Sequence, residues 1–251
     1  MGDPRVLIGL LSYNREQYKE ECIESVLNQS YPCSLFITDD GSTDGSKDII
    51  VRYAKNHSNI FYQFHEENSG NGIRAANEII DVSKEFDYVC FFSDDDAFIK
   101  NSIEISIEHA EKYLADWLYG DLDVVDGVGR LLYKAVYNGY PESVPAAIAS
   151  MWRTKSLDTT FAGTFFRSKF LLEKRFVRLP NTTYGIDAAT AIDWYAAWPT
   201  IKRAPYAVHR YRIWKGGETA YANDQKKQFQ TDLISKMISV FGYENIMACL
   251  K

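Results

Sequence analysis

Phe91-Phe92-Ser93-Asp94-Asp95-Asp96 joins an apolar segment directly to three consecutive carboxylates. The apolar segment begins after Asp87, lacks helical periodicity and therefore predicts a buried strand. Beyond the carboxylates, apolar residues between positions 103 and 114 recur at helical spacing. We therefore expect the three carboxylates at the carboxyl end of a buried strand, where open α/β sheets bind their ligands.

The three carboxylates, Asp94 to Asp96, repel one another, and a cation relieves that repulsion. Because Mg²⁺ is commonly held by one or two carboxylates together with substrate phosphates, we expect a divalent cation here, Mn²⁺ or Mg²⁺. The alternative is a helix N-terminus with an acidic first turn, which needs only one or two carboxylates. The sequence favours the metal site.

The composition of the 251-residue chain is that of a globular protein, with 46% hydrophobic and 25% charged residues. A net charge of −6 argues against a nucleic-acid polymer as the partner. The four cysteines show no CxxC spacing, which is typical of reduced core residues in a cytosolic protein. We recognise no signal peptide and no apolar run of spanning length, so we expect a cytoplasmic location.

Strands and helices alternate in the first half of the chain. Strands are predicted at Val6–Leu11, Ser34–Thr38, Ile60–Phe64 and Asp87–Phe92, and helices at about 18–27, Lys47–Lys55 and Ile73–Ser83. This order predicts an α/β fold with a doubly wound, mostly parallel sheet.

The second half is less regular and predicts a smaller, mixed part. Strands are expected at Trp117–Val125, Leu131–Val136, Phe161–Phe166 and Ala204–Tyr211, a loop at Asn138–Ser156, and helices at Tyr184–Trp198 and around 229–241. The apolar stripe of the last helix predicts packing on the body of the domain or on a second subunit, as in a homo-oligomer. Peripheral contact with the inner face of a membrane is the alternative.

Three motifs at successive strand ends together resemble family 2 glycosyltransferases of the GT-A fold. They are Ser12-Tyr13-Asn14-Arg15, Asp39-Asp40-Gly41-Ser42-Thr43-Asp44 and Ser93-Asp94-Asp95-Asp96, and the segment Gly70–Asn77 adds to them. The resemblance implies one continuous domain, with a nucleotide-sugar-binding half at residues 1–96 and an acceptor-binding half at 97–251. It also implies that a sugar passes, with inversion at the anomeric carbon, from a nucleotide sugar to a hydroxyl acceptor on a carbohydrate or a lipid-linked saccharide.

The resemblance also implies roles on the donor side. Asp39 matches the position that contacts the nucleoside and is ranked above Asp40, which suits a turn. Tyr13 is expected to stack on the base, and Arg74 to contact the diphosphate or nucleoside. Together Asp39 and Tyr13 imply a uridine nucleotide.

The family usually shows Asp-x-Asp-Asp where this chain has Ser93 followed by three aspartates. The resemblance implies that Asp95 is the metal ligand, with Asp94 near the ribose or the metal. Asp96 is then a second ligand or the cap of the next helix. Asp121-Leu122-Asp123 is a rival Asp-x-Asp within a predicted strand, and we rank it second.

An inverting transfer needs a base to accept the proton of the acceptor hydroxyl. The resemblance places it near a helix start in the second half, where Asp187 and Asp193 compete. We prefer Asp193 because the aromatic residues Trp194 and Tyr195 follow it. A basic lid over the diphosphate is expected in the segment 209–217, with an ordinary charged loop as the alternative.

Two other functions remain open at the level of sequence. A nucleotidyltransferase would also bind nucleotides at strand ends, but it would carry a glycine-rich loop with Arg and Lys directly after the first strand. An inactive homologue would keep the fold without catalysis, and the departure at Ser93 leaves that alternative open. The resemblance favours an active enzyme of surface polysaccharide or glycoconjugate synthesis.

Overall fold

The structure is a computed structural model, and it describes residues 2–137, 141–157, 160–182, 185–216 and 226–251. Parts of three predicted segments lie outside these residues: positions 138–140 of the predicted loop, Tyr184 at the start of a predicted helix, and Gly217 at the end of the expected lid.

The first half alternates strands and helices, as predicted. Its elements are β1 (Val6–Ser12), α1 (Glu16–Leu27), β2 (Cys33–Asp39), α2 (Ser46–Asn56), β3 (Ile60–Phe64), α3 (Ile73–Ser83) and β4 (Tyr88–Ser93). The four strands are parallel in the order β3-β2-β1-β4. β1 has no charged residue and is polar only at its last residue, Ser12, because both of its faces are covered: Leu7 belongs to the core cluster that includes α3, and Ile8 to the cluster that includes α1.

The second half continues the same sheet. Its elements are β5 (Ala97–Phe98), α4 (Ser102–Tyr113), β6 (Trp117–Val125), β7 (Leu131–Ala135), α5 (Val144–Thr154), β8 (Phe165–Arg167), α6 (Ser168–Leu171), α7 (Ile186–Tyr195), β9 (Ile201–Arg212), α8 (Lys226–Phe241) and α9 (Tyr243–Cys249). β8 is antiparallel to β4 and β6, β9 is parallel to β6, and β5 and β7 add antiparallel edges. The predicted α/β fold, mostly parallel with a mixed second part, is confirmed.

The predicted loop at Asn138–Ser156 is wrong, since α5 occupies most of it. Ser143 caps this helix by accepting a hydrogen bond from Ala146 N (3.4 Å), and a proline lies in its first turn. Ala147, Ile148 and Met151 are buried at helical spacing. The many small residues in this segment serve close helix packing, whereas the sequence analysis interpreted them as a loop.

The stripe on α8 packs on the body of the domain, as predicted. Phe229, Leu233 and Met237 are buried within the same core cluster as α7, whereas Ile238 on the adjoining face is exposed. None of the helices in the described ranges combines the length and the apolar character needed to cross a bilayer.

Candidate active site

The carboxyl ends of β1, β2 and β4 bring the three motifs together at one edge of the sheet. Ser12 is paired in register with Asp39, and Leu11 with Ser93. Neighbouring parallel strands end side by side, so residues far apart in sequence become neighbours there. The sequence placed all three motifs at this edge, but it did not show which side chains point outward.

Asp94 is fully buried and is bound on both of its oxygens. Oδ1 accepts a hydrogen bond from Arg15 Nη1 (2.8 Å), and Oδ2 accepts one from Tyr13 N (3.1 Å) and a short one from Lys19 Nζ. Two side chains of the protein, Arg15 and Lys19, therefore supply positive charge at Asp94, where we expected a bound cation.

Asp95 is the member of the run whose side chain reaches the surface, with 11% of it exposed against 0% for Asp94 and 1% for Asp96. Its Oδ2 accepts a hydrogen bond from Trp214 Nε1 (2.9 Å), and its Oδ1 lies 3.3 Å from Arg15 Nη1. Burial raises the pKa of the Asp95 carboxyl, and the Arg15 guanidinium offsets only part of that effect.

Asp96 points into the protein and is neither a helix cap nor near the surface. Its Oδ1 accepts from Arg212 N (2.9 Å), and its Oδ2 lies 3.7 Å from His209 Nε2. The N-terminal residue that precedes α4 is Asn101 instead. Burial raises the pKa of Asp96 well above its ordinary value and lowers that of His209 to about 3, which favours two neutral groups.

These observations bear on the expected metal ion. Among the residues that the structure describes, no group of three His, Cys, Asp or Glu side chains is placed to hold a metal. Of the three aspartates, Asp95 is the one that presents its carboxylate at the surface, and one carboxylate plus substrate phosphates is a common arrangement for Mg²⁺. The residues present therefore fit a site of that kind and do not fit one built from several carboxylates.

The rival pair Asp121 and Asp123 is committed to ion pairs within the protein. Arg203 donates to both oxygens of Asp121, each at 2.8 Å, and Lys134 donates to Asp123 at 3.0 Å. These cations already balance the carboxylates, so the structure supports their secondary rank as a metal site.

Asp39 and Asp40 have different partners in the structure, and the ranking of Asp39 above Asp40 as the nucleoside contact stays a prediction. Asp39 is fully buried, and its oxygens accept hydrogen bonds from Ser12 Oγ (2.8 Å), Ser42 Oγ (2.6 Å) and Ser42 N (2.8 Å). Asp40 instead accepts from Arg74 Nε (3.0 Å), and the Arg74 side chain is 35% exposed. Asp40 therefore holds a partly exposed cation, whereas Asp39 is bound by Ser12 and Ser42 inside the protein.

Tyr13 follows β1 directly and is 42% exposed, so its ring is accessible to a ligand. On the other side of Asp40, Ser69 N and Ser69 Oγ donate to Asp40 Oδ2 at 3.0 and 2.8 Å. The glycine-rich segment is thereby tied to the end of β2. Tyr13, Arg74 and Ser69 together border the region that the sequence analysis assigned to the nucleoside.

A cavity of about 350 Å³ lies at the same edge of the sheet. Its walls come from both halves of the chain and include Leu11, Gly72, Phe91, Ser93, Phe161, Asp187 and Tyr211. Ser93 immediately precedes the aspartates, so the cavity adjoins them. Its wall is mainly apolar, and Asp187 is its one carboxylate among the described residues.

The structure places Asp187 and Asp193 in different surroundings, although both lie on α7. Asp187 lines the cavity, and its Oδ2 accepts a hydrogen bond from Phe161 N (2.9 Å). Asp193 pairs with Lys236 of α8 at 2.8 Å and does not line the cavity. Trp194 and Tyr195 are buried in the core, which removes the reason for preferring Asp193.

The first half of the described part of the expected lid, residues 209–212, belongs to the sheet. β9 runs to Arg212, and His209 and Arg212 are buried. Arg212 Nε donates to Asp95 O (2.7 Å) and Arg212 Nη2 donates to Glu21 Oε2 (2.6 Å). Arg212 therefore stabilises the turn that carries Asp95 and Asp96.

Lys19 is the site residue that the sequence analysis missed. It lies on the buried face of α1 with Cys22, Ile23 and Val26. The signal was available, because a lysine at position i of an apolar i, i+3, i+4, i+7 stripe must find a partner when it is buried.

Comparison with known proteins gives consistent matches. The family model described as glycosyl transferase family 2 matches residues 8–176. The putative teichuronic acid biosynthesis glycosyltransferase TuaG of Bacillus subtilis is 38% identical over 106 residues, which cover 42% of this chain and 41% of that protein. The poly(ribitol-phosphate) beta-glucosyltransferase of Bacillus spizizenii is 28% identical over 128 residues, covering 50% and 20%. The chain thus spans less than half the length of these relatives.

Two solved structures are similar over most of the chain. S. aureus TarS 1-349 in complex with UDP-GlcNAc matches with a TM-score of 0.75 at 17% identity, covering 98% of this chain and 70% of that one. The mannosyltransferase PcManGT from Pyrobaculum calidifontis, in complex with GDP-Man and Mn²⁺, matches with a TM-score of 0.61 at 19% identity, covering 94% and 64%. At these identities the similarity concerns the fold.

Proposed function

Because the chain belongs to glycosyl transferase family 2 and has the GT-A fold, we propose that it transfers a sugar from a UDP-linked donor to a hydroxyl of a carbohydrate acceptor, with inversion at the anomeric carbon. The observation that carries the proposal is the cavity. It lies beside the aspartate turn at the strand ends and has the carboxylate of Asp187 in its wall.

The donor nucleoside is assigned to the surface between Tyr13 and Arg74. The exposed ring of Tyr13 offers a face for stacking on the base. Asp40 holds the Arg74 guanidinium at this surface, where it can donate to the nucleotide. Asp39 acts indirectly, because its buried carboxylate orders the turn that carries Asp40.

Asp95 would hold Mn²⁺ or Mg²⁺ together with diphosphate oxygens. Such an ion, when bound, neutralises charge on the leaving nucleoside diphosphate. Two of the chain's own side chains act beside it: Trp214 orients the Asp95 carboxylate, and Arg15, 24% exposed, adds a positive charge at the mouth of the site.

Asp187 is the proposed base. The backbone N–H of Phe161 fixes its carboxylate at the cavity wall, and in the proposed reaction that carboxylate accepts the proton of the acceptor hydroxyl. The wall around this carboxylate is mainly apolar and offers no second carboxylate among the described residues, so Asp187 is the base that the cavity supplies.

The relatives suggest the class of acceptor. Their names refer to teichuronic acid and to poly(ribitol-phosphate). We propose that the acceptor here is likewise a surface polysaccharide or glycopolymer, in free or lipid-linked form.

Calorimetry and turnover test this proposal. With Mn²⁺ present, UDP is expected to bind more tightly than GDP or dTDP, and a panel of UDP-sugars is expected to contain one that releases UDP in the presence of acceptor glycans. Tighter binding of GDP or dTDP would refute the donor assignment. Binding of UDP without turnover of any UDP-sugar, at several acceptors, would favour an inactive homologue.

A further inference from the structure

Lys19 occupies a position in α1 that packing alone would give to an apolar residue. Its neighbours on the buried face, Cys22, Ile23 and Val26, are apolar, and Lys19 is as inaccessible to solvent as they are. A buried ammonium is costly unless it is paired and hydrogen-bonded. The hydrogen bonds of Lys19 to Ser12 and Asp94 therefore indicate a function beyond packing.

The ammonium of Lys19 joins three strand ends. It donates one hydrogen bond to Asp94 Oδ2, beyond β4, and another to Ser12 Oγ (2.7 Å), at the end of β1. Ser12 Oγ donates in turn to Asp39 Oδ2 (2.8 Å), at the end of β2. An ammonium has no acceptor, so Ser12 must accept from Lys19, which directs its single proton to Asp39.

Asp94 thus lies between two cations that differ in exposure. Arg15, on its outer side, is 24% exposed and also contacts Asp95, whereas Lys19, on its inner side, is fully buried. An incoming diphosphate would attract the guanidinium of Arg15. Lys19 is too deeply buried to follow, so it keeps Asp94 neutralised and in place when Arg15 turns away.

We propose that Lys19 is a positioning residue for the donor: it holds Asp94 directly, and Asp39 through Ser12, in the arrangement that receives the nucleoside. This inference rests on the proposed function, because it assumes that a uridine nucleotide binds at these strand ends. Lys19 itself touches neither the sugar nor the diphosphate.

The test measures the affinity of UMP and of UDP, each with Mn²⁺, for wild type, Lys19→Met and Ser12→Ala. Lys55→Met, at an exposed position of α2, is the matched control. Since a hydrogen bond to a charged group is lost, Lys19→Met should lower the affinity for both nucleotides by about tenfold or more. Ser12→Ala should lower these affinities less, because it keeps the pair of Lys19 with Asp94. Lys55→Met should bind both as wild type does.

The comparison of nucleotides shows whether the defect lies at the nucleoside or at the diphosphate. UMP lacks the β-phosphate, so equal losses for UMP and UDP place the defect at the nucleoside, as proposed. Two results would overturn the inference and leave the proposed function standing. One is an unchanged affinity for both nucleotides in folded Lys19→Met, and the other is a loss of affinity for UDP alone. If Lys19→Met fails to fold, unchanged affinity in Ser12→Ala overturns it. Wild type that binds no nucleotide would reject the proposed function itself.

Discussion

Asp95 reaches the surface while its neighbours Asp94 and Asp96 point inward, so three identical residues in a row have three different environments. Asp94 is balanced by Arg15 and Lys19, and Asp96 faces a buried histidine. Of these three aspartates, Asp95 is the one whose carboxylate is accessible from the surface. At the scale of the residue, burial and local cations assign the roles.

Asp95→Asn should abolish metal-dependent turnover and leave the fold intact. Asparagine keeps an oxygen that can accept from Trp214, but it lacks the charge that a divalent cation needs. UDP release with Mn²⁺ and the thermal unfolding midpoint are the measurements. Full activity of the variant in EDTA-treated buffer would contradict a metal role for Asp95.

Asp187→Asn should lower kcat by about 10²- to 10⁴-fold, the range expected when a general base is lost. Asp193→Asn is the matched control on the same helix, since Asp193 pairs with Lys236 away from the cavity. Steady-state kinetics at saturating donor decide between them. A large loss in Asp193→Asn, with Asp187→Asn active, would restore the choice made from sequence.

At the scale of the element, α8 has a buried apolar face and, next to it, an exposed isoleucine. Met237 and Leu233 are fully buried against the body of the domain, whereas Ile238 is 39% exposed. Lys236 of the same helix pairs with Asp193 of α7. The helix is thus anchored to α7 by packing and by one ion pair.

Met237→Ala should lower the free energy of unfolding by about 2–5 kcal/mol, because it removes a fully buried side chain from a packed core. Ile238→Ala, on the adjoining exposed position, should change it by about 0.5 kcal/mol or less. Urea unfolding of both variants is the measurement. Equal effects of the two substitutions would mean that α8 does not pack as described.

At the scale of the whole molecule, one sheet joins the two halves and separates two cores. Alternate residues of β1 enter different cores, Leu7 on one side and Ile8 on the other. One sheet therefore links the surface proposed for the donor to the cavity, because a strand that ends at that surface, β4, pairs with β8 of the second half, which pairs in turn with β6.

The cysteines report on the integrity of these cores. Burial raises the pKa of the Cys22 and Cys90 thiols well above its ordinary value, and that of Cys33 to about 12. Because the thiolate is the reactive form, these three should react with a thiol reagent at about pH 8 only on unfolding. Rapid labelling of the native protein should be confined to Cys249, and Cys249→Ser should remove it. Rapid labelling of a second thiol would show a looser core.

Much of the fold was predictable from the sequence because its signals are local. The apolar runs of β1 and β4 and the helical stripe of α1 are patterns over a few neighbouring residues, and they predicted the parallel sheet. α5 was missed because its small residues resemble a loop unless the packing partners are known. The position of the motifs at strand ends followed from the same local patterns.

The sequence by itself determined the class of fold, the edge of the sheet that carries the site and the resemblance to a family of glycosyltransferases. Only the tertiary structure decided that Asp40 pairs with Arg74, that Asp187 and not Asp193 lines the cavity, and that Lys19 balances Asp94. The physical reason is that exposure and charge balance depend on groups distant along the chain. Trp214, which binds Asp95, is 119 residues away from it, and no local pattern records that contact.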